Sequence, residues 1–353
     1  MLSISAHKYT IYFNENGYIQ LNDLLTKNKY SSIFILTDEN TNENCLPKLL
    51  SNLATELPIE IIEIESGESN KNIQTCAEIW SILSDLGADR KSVFINLGGG
   101  VITDLGAFVA STFKRGIDFI NIPTTLLGMV DASIGGKNGV DLGVLKNQIG
   151  TFNEPVLLLI DTDYLQTLSN REMISGLAEM LKHGLIYDKD YWQKFHDISA
   201  LNFGAFDALI HRSIEIKNEI VSQDPTEKNM RKALNFGHTL GHGIESCFLN
   251  TEKPLLHGES IAIGMVLEAF ISKEKGLLTE VEYLEIKNAF QRIYNKTTID
   301  TASQNSIMEL LIHDKKNEFG TIQFALLDGI GNYKINQIAD NELIKLSFID
   351  YNS

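Results

Sequence analysis

Along the first half of the chain, apolar and polar positions alternate between two rhythms. SSIFILTDEN (31–40) is a β-branched apolar run closing on polar turn residues, and CLPKLLSNLA (45–54) has helical spacing. IEIIEIESGE (59–68) reads as a strand, and IQTCAEIWSILSDLG (73–87) reads as an amphipathic helix stopped by glycine. SVFINLGGG (92–100) is an apolar strand running into three glycines, followed by a helix, VITDLGAFVASTF. FINIPTT and VLLLID (156–161) are further short strands. Strands alternating with helices predict a mostly parallel sheet covered on both faces.

After Asp161 the rhythm becomes helical. REMISGLAEMLKHGLIYD, FDALIHRSIEIKNEIVSQD, ESIAIGMVLEAFISKEKG and YLEIKNAFQRIY all carry the 3.6-residue period, and TIQFALL (321–327) is a late β-like piece. The pattern predicts an α/β N-terminal domain, residues 1–162, and a mainly α-helical C-terminal domain, residues 163–353.

Composition narrows the function. With 353 residues, 43% hydrophobic and 22% charged, the chain has the make-up of a globular protein large enough for two domains. Acidic residues outnumber basic ones 46 to 30, for a net charge of −16, which argues against nucleic acid and anionic membranes as partners. An anionic ligand would therefore need a local basic pocket. Cys45, Cys76 and Cys247 are scattered, without a C-x-x-C pair, as expected of a reducing compartment. The start, MLSISAHKYTIYF, lacks the basic and long apolar parts of a signal peptide, and no apolar run reaches the length of a membrane span. A cytoplasmic location is expected.

Three stretches carry candidate chemistry. The first, RKALNFGHTLGHGIESCFLNTEKPLLHGE (231–259), holds three of the eight histidines. Read as a helix from Ala233, it places His238, His242 and Glu245 on one face, a pattern that suits a shared metal or an acid–base site. Thr239 stands where the H-E-x-x-H peptidases carry their glutamate, which argues against that chemistry. The second stretch, FINLGGGVITDLGAF (94–108), puts glycines between a strand and a helix, where backbone can approach a phosphate and the helix start offers free N–H groups. A tight structural turn would use the same glycines. The third, residues 121–150, reads as a long glycine-rich loop with Asp131, Lys137, Lys146 and Asn147, suited to an anionic ligand. In SGLAEMLKHGLI, Glu179 and Lys182 lie at i and i+3, the spacing of an ordinary ion pair.

Taken together, GGGVITDLGAF, FKRGI, IPTTLLGMVDASIGGKNGV, LKNQIGTF, GLAEMLKHGLI, LNFGHTLGHGIE, LHGES and HDKK resemble the 3-dehydroquinate synthase family, in the family's order from about Gly67 to Lys316. The resemblance implies a Rossmann-like N-terminal domain, a helical C-terminal domain, NAD, and a divalent metal, zinc first and cobalt as an alternative. It implies metal ligands Glu179, His238 and His257, replacing the helix-face set above. His242 is then a catalytic residue, with Asn235, Lys182, Arg231 and Lys137.

The same resemblance implies NAD contacts from Asp38, Glu68, Lys71, Gly99, Gly100 and Val101, and from Asp104, Thr124, Thr125 and Thr167. Substrate contacts would come from Arg115, Asp131, Lys146, Asn147, Lys217, Glu227 and one of Lys315 and Lys316. The implied reaction converts 3-deoxy-D-arabino-heptulosonate 7-phosphate to 3-dehydroquinate and phosphate. It passes through transient oxidation by NAD, β-elimination of phosphate, reduction, ring opening and aldol closure, within the shikimate pathway. A homodimer is expected.

Three rival readings differ in what they need. A polyol dehydrogenase would not need Arg115, Lys137, Lys146, Lys182, Lys217 and Arg231. A cyclase for sedoheptulose 7-phosphate or glucose 6-phosphate would differ where the substrate carboxylate is held. An inactive nucleotide-binding relative would have lost ligands, and here all are present.

Overall fold

β-Branched and aromatic side chains fill the apolar runs of the first unit, and each run becomes a strand. The computed structural model describes residues 1–143, 145–196, 203–249, 251–312 and 322–353. It divides into two units, Met1–Met173 and Ile174–Ser353. The boundary expected after residue 162 falls earlier, on a short 3-10 turn, Thr162–Thr167.

In the first unit the chain forms β1 (Ile4–Ser5), β2 (Thr10–Phe13), α1 (Asn14–Lys27), β3 (Ile33–Asp38), α2 (Glu39–Asn44), α3 (Leu46–Asn52) and β4 (Ile59–Ile64). It continues through α4 (Ile73–Asp85), β5 (Val93–Gly98), α5 (Gly100–Thr112), β6 (Asp118–Pro123), β7 (Lys137–Leu142), β8 (Leu145–Phe152) and β9 (Leu157–Ile160). Seven strands make one sheet in the order β1-β2-β9-β6-β5-β3-β4. All neighbours are parallel except β1 and β2. After β4 the chain crosses to the far side of β3, so the strand order reverses between β3 and β5. Ligands of such sheets bind beyond the carboxyl ends of the strands at that reversal.

The centre of the sheet explains why the core sits there. β5 is buried along its whole length, and Phe34, Leu36, Phe94, Ile102, Leu105, Val109 and Phe119 belong to one apolar cluster. The buried Asn96 amide donates to the Asn121 side-chain oxygen at 2.8 Å across neighbouring strands. α5 comes down on this pair at Gly106, where a Cβ would stand 1.9 Å from the Asn96 side-chain oxygen. Glycine is required there for the helix to seat on the strand.

One sequence expectation fails in this unit. Residues 121–150 are not simply a long loop: β7 and β8 form an antiparallel hairpin with Gly139 opposite Gly150. A Cβ on either glycine would come within 2.6 Å of a backbone oxygen across the pair, so here glycine marks close strand approach and not a loop.

The second unit is mainly helical. α6 (Asn170–Tyr187) leads into it, followed by α7 (Lys189–Gln193), α8 (Phe203–Gln223), α9 (His238–Phe248), α10 (His257–Glu274), α11 (Glu280–Ile293) and α12 (Thr301–Ile312). β10 (Gln323–Leu327), β11 (Tyr333–Ile338) and α13 (Asn341–Asn352) follow. α10 is its buried axis: residues from Ser260 through Ser272 are all buried. Among the described residues, no helix is long and apolar enough to cross a membrane.

Candidate functional site

In the first unit, the residues expected at a nucleotide gather at the carboxyl ends of β3, β5 and β6. Gly99 is the N-cap of α5 and offers no side-chain cap, which leaves the first-turn N–H groups without one. A Cβ on Gly99 would press to 2.9 Å on Thr125, so the turn is built tight. Val101 lies in that first turn, and the Thr124 N–H donates to the Gly98 carbonyl at 3.0 Å. The Thr125 hydroxyl accepts the Gly128 N–H at 3.0 Å. Asp38, at the end of β3, caps α2 by accepting the Thr41 N–H at 2.8 Å. Thr167 lies 3.8 Å from the Cys45 sulfur.

Beside this turn lies a charge cluster. The Lys71 ammonium, 4% exposed, donates to Asp104 at 2.5 Å and to Asn147 at 2.8 Å. Burial opposes its charge, but the carboxylates of Asp104, Glu68 and Asp141 outweigh that and raise its pKa above the usual lysine value. Lys146 pairs with Glu68. Asp141, which sequence reasoning missed, accepts the Asn147 N–H at 2.7 Å and holds that residue at φ 50°.

Three other expected residues of this unit lie outside that cluster. Asp131 lies in a short π-helical turn, Gly128–Ala132, that packs on the start of α5, where a Cβ on Gly100 would stand 3.3 Å from Ala132. Lys137 is exposed at the start of β7. Arg115 is exposed beyond the far end of α5, about 20 Å of helix from the glycine turn by helical rise.

In the second unit, a single cluster brings together Glu179, His238 and His257. The helix expected from Ala233 actually begins at His238: Gly237, at φ 79°, breaks it from a 3-10 turn, Met230–Asn235. α9 thus presents His238 in its first turn, and α10 presents His257 as its first residue. Gly258 lets α10 start directly on α6, because a Cβ there would overlap the Ser175 carbonyl at 1.8 Å. The Gly258 N–H donates to the Ser175 hydroxyl at 3.0 Å, and Glu179 lies one turn further along α6. That contact is why residues far apart in sequence meet.

One ligand atom from each of Glu179, His238 and His257 lies within 4.8 Å of the others. His238 Nε2 is 3.4 Å and His257 Nε2 is 3.6 Å from the same Glu179 oxygen. Each ring has its other nitrogen engaged, His238 Nδ1 with the Phe236 carbonyl at 3.2 Å and His257 Nδ1 with Glu245 at 3.2 Å. Those contacts favour the Nδ1–H tautomer and turn the Nε2 lone pairs inward. Glu179 is fully buried, and neither of its oxygens accepts a hydrogen bond, although the Lys182 ammonium is ion-paired to it.

A carboxylate so placed with two imidazole lone pairs fits a divalent ion, and the N/N/O donor set suits zinc or cobalt. His257 shows the same demand for positive charge. Burial opposes its protonation, yet the carboxylates of Glu245 and Glu179 push its pKa up to about 10.

His242 stands beside this set, its ring centre 5.2 Å from His238 and 5.9 Å from His257. Glu245 serves His257, so the helix-face set read from spacing alone does border the centre. Asn235 donates to Glu227 at 2.6 Å. Arg231 is buried, its backbone N–H held by Asp224 at 3.1 Å and its guanidinium by the Pro225 carbonyl at 2.7 Å. Burial works against Asp224 ionisation, but the N–H groups of Asn229, Lys228 and Arg231 outweigh it and hold the pKa below the ordinary value. Lys182 and Lys217 are also buried cations. Lys217 sits one turn past Ser213, whose hydroxyl meets His183 at 2.7 Å. Lys315 and Lys316 lie outside the described residues.

Among solved structures, sugar-phosphate cyclases share this fold, a doubly wound α/β part followed by a mainly helical part. A 2-deoxy-scyllo-inosose synthase, solved with carbaglucose-6-phosphate, NAD+ and Co2+, matches at TM-score 0.87 and 23% identity over 99% of both chains. A 2-epi-5-epi-valiolone synthase from Streptomyces hygroscopicus subsp. jinggangensis 5008, solved with NAD+ and Zn2+, matches at TM-score 0.86 and 26% identity over 99% of this chain and 98% of that one. Within this class, residues 61–175 match the family model for the 3-dehydroquinate synthase N-terminal part, and residues 176–317 match that for its C-terminal part. A 3-dehydroquinate synthase from Parabacteroides distasonis is 41% identical over 334 residues, 94% of each chain. The chain belongs to the 3-dehydroquinate synthase family.

Proposed function

We infer that this chain converts 3-deoxy-D-arabino-heptulosonate 7-phosphate to 3-dehydroquinate and phosphate, as a carbon–oxygen lyase acting on a phosphate. The observation that carries the reading is the buried Glu179 carboxylate facing two inward-turned imidazole nitrogens, in a chain of this family. Glu179, His238 and His257 would hold a divalent ion, zinc first, with NAD on the glycine turn formed by Gly99, Gly100 and Val101. When bound, these two groups supply a reversible hydride acceptor and a Lewis acid.

The remaining roles fall to the chain. Asp38, Glu68, Lys71, Asp104, Thr124, Thr125 and Thr167 are assigned to NAD. Lys71 is held at Asp104 before any ligand arrives, so little ordering remains to be done. The substrate carries a phosphate and a carboxylate, and a chain of net charge −16 must meet them with local cations. Lys182, Lys217 and Arg231 are such cations, already stripped of water; Lys137, Lys146, Asn147, Arg115 and Asp131 are also assigned to the substrate. One of Lys315 and Lys316 belongs to the same assignment.

Once C5 is a ketone the C6 proton is acidic, and phosphate leaves from C7 by β-elimination. His242, adjoining the proposed metal ligands, is placed to hold or move a proton, and Asn235 with Glu227 to orient the sugar. Redox change is internal, so the net reaction releases phosphate without accumulating NADH. A homodimer in the cytoplasm completes the proposal; Cys45, Cys76 and Cys247 are free thiols, as a reducing compartment requires.

The test offers three substrates to the NAD- and zinc-loaded protein: the heptulosonate phosphate, sedoheptulose 7-phosphate and glucose 6-phosphate. Phosphate release from the first alone is expected. Turnover of either of the others in its place would keep the class and move the specificity.

A further inference from the structure

We propose that Glu268, buried in α10, is a positioning residue of the metal centre, acting on His238 through the Phe236–Gly237 peptide. The N-cap of α9 is Gly237, which has no side chain to cap the free N–H groups of the first turn. The missing cap comes from another helix. Glu268 accepts the Gly237 N–H at 2.7 Å on one oxygen and the Leu240 N–H at 3.0 Å on the other. These are the two donors, N-cap and third helical residue, that a capping box satisfies from within its own helix.

The crossing that allows this is made of glycines. A Cβ at Gly264 would stand 2.0 Å from the Gly237 carbonyl, and one at Gly241 would stand 3.1 Å from the Ile261 Cα. Backbone therefore meets backbone, and Glu268, one turn beyond Gly264, reaches the start of α9. It is 0% exposed, which is costly for a carboxylate unless its partners are fixed.

The consequence for chemistry lies in one peptide plane. Its N–H, on Gly237, is held by Glu268; its carbonyl, on Phe236, faces His238 Nδ1 at 3.2 Å. Because the plane is rigid, fixing the N–H fixes the carbonyl, and with it the tautomer and direction of the His238 ring. The carboxylate charge also polarises the peptide and raises the basicity of Nε2, as an outer partner does for a ligating histidine.

The inference rests on the metal-centre reading, and Glu268→Gln tests it. The amide keeps size but turns an NH2 toward one of the two N–H donors. Zinc affinity is measured on the whole protein by competition with a chromophoric chelator, with thermal stability measured alongside. Phe348→Leu, a buried change on α13, serves as the destabilised control.

Zinc binding weakened by ~10-fold or more in Glu268→Gln, and unchanged in the control, is the expected result. Equal zinc affinity in wild type and Glu268→Gln would overturn this proposal alone. Failure of the wild type to bind zinc would overturn the centre itself. Should the amide variant not fold, Glu268→Asp, which keeps the charge but shortens the reach, takes its place: wild-type affinity there overturns the proposal.

Discussion

At the end of β5 the chain offers backbone, through Gly98 to Gly100, and the cations beside it are already paired. Lys71 has Asp104, and Lys146 has Glu68. At the starts of α9 and α10 it offers side chains instead: Glu179, fully buried and ion-paired to Lys182, also faces the imidazole nitrogens of His238 and His257, and His257 is driven toward protonation. A pre-paired region can accept a neutral or modestly charged ligand by exchanging partners. A buried carboxylate oxygen facing two imidazole lone pairs calls for a cation. The two regions thus ask for different cofactors, one held by close backbone approach and one by donor atoms.

Four changes would break or sharpen that contrast, the largest first. His238→Ala removes one of the three proposed ligands and should cost several kcal/mol of transition-state stabilisation, roughly 1000-fold in activity, read by steady-state phosphate release. Lys71→Met leaves Asp104 without its buried partner, and urea unfolding without NAD should show a loss of about 3 kcal/mol.

Asp224→Asn should cost about 2 kcal/mol at neutral pH, since three backbone N–H groups lose a charged acceptor. The folded pKa of Asp224 is depressed, so its stabilisation is present above the unfolded value, 3.8, and is lost as pH falls through the folded one. The gap between wild type and variant should close in acid. Glu68→Gln, in a partly exposed pair, should cost under about 1 kcal/mol, with the loss shrinking as salt is added.

The contrast also marks what the sequence could tell. Strands β3, β4, β5, β6 and β9 and the helices α3, α4, α5, α6, α8, α10 and α11 follow from hydrophobic rhythm, because burial on one face or two imposes it, whereas the short β1 and β2 gave no such signal. The hairpin β7–β8 was hidden since its glycines serve close strand approach, which looks like a loop in one dimension. The start of α9 was hidden for the opposite reason: 231–248 keeps helical spacing, yet Gly237 turns left-handed.

Spacing pointed to His238 and His242 but had no means of selecting Glu179, which joins them only because Gly258 seats α10 on Ser175 of α6. That ligand was implied by family resemblance alone. Glu268 and Asp141 escaped both routes. Each acts on backbone N–H groups, and a carboxylate's reach to a distant main chain leaves no local pattern.

The most direct measurement follows phosphate and NADH together when the protein, loaded with NAD and zinc, meets the heptulosonate phosphate, with and without a chelator. The account predicts steady phosphate release, no net NADH, and loss of the phosphate release on chelation. NADH accumulating without phosphate, or phosphate release indifferent to the chelator, would contradict it.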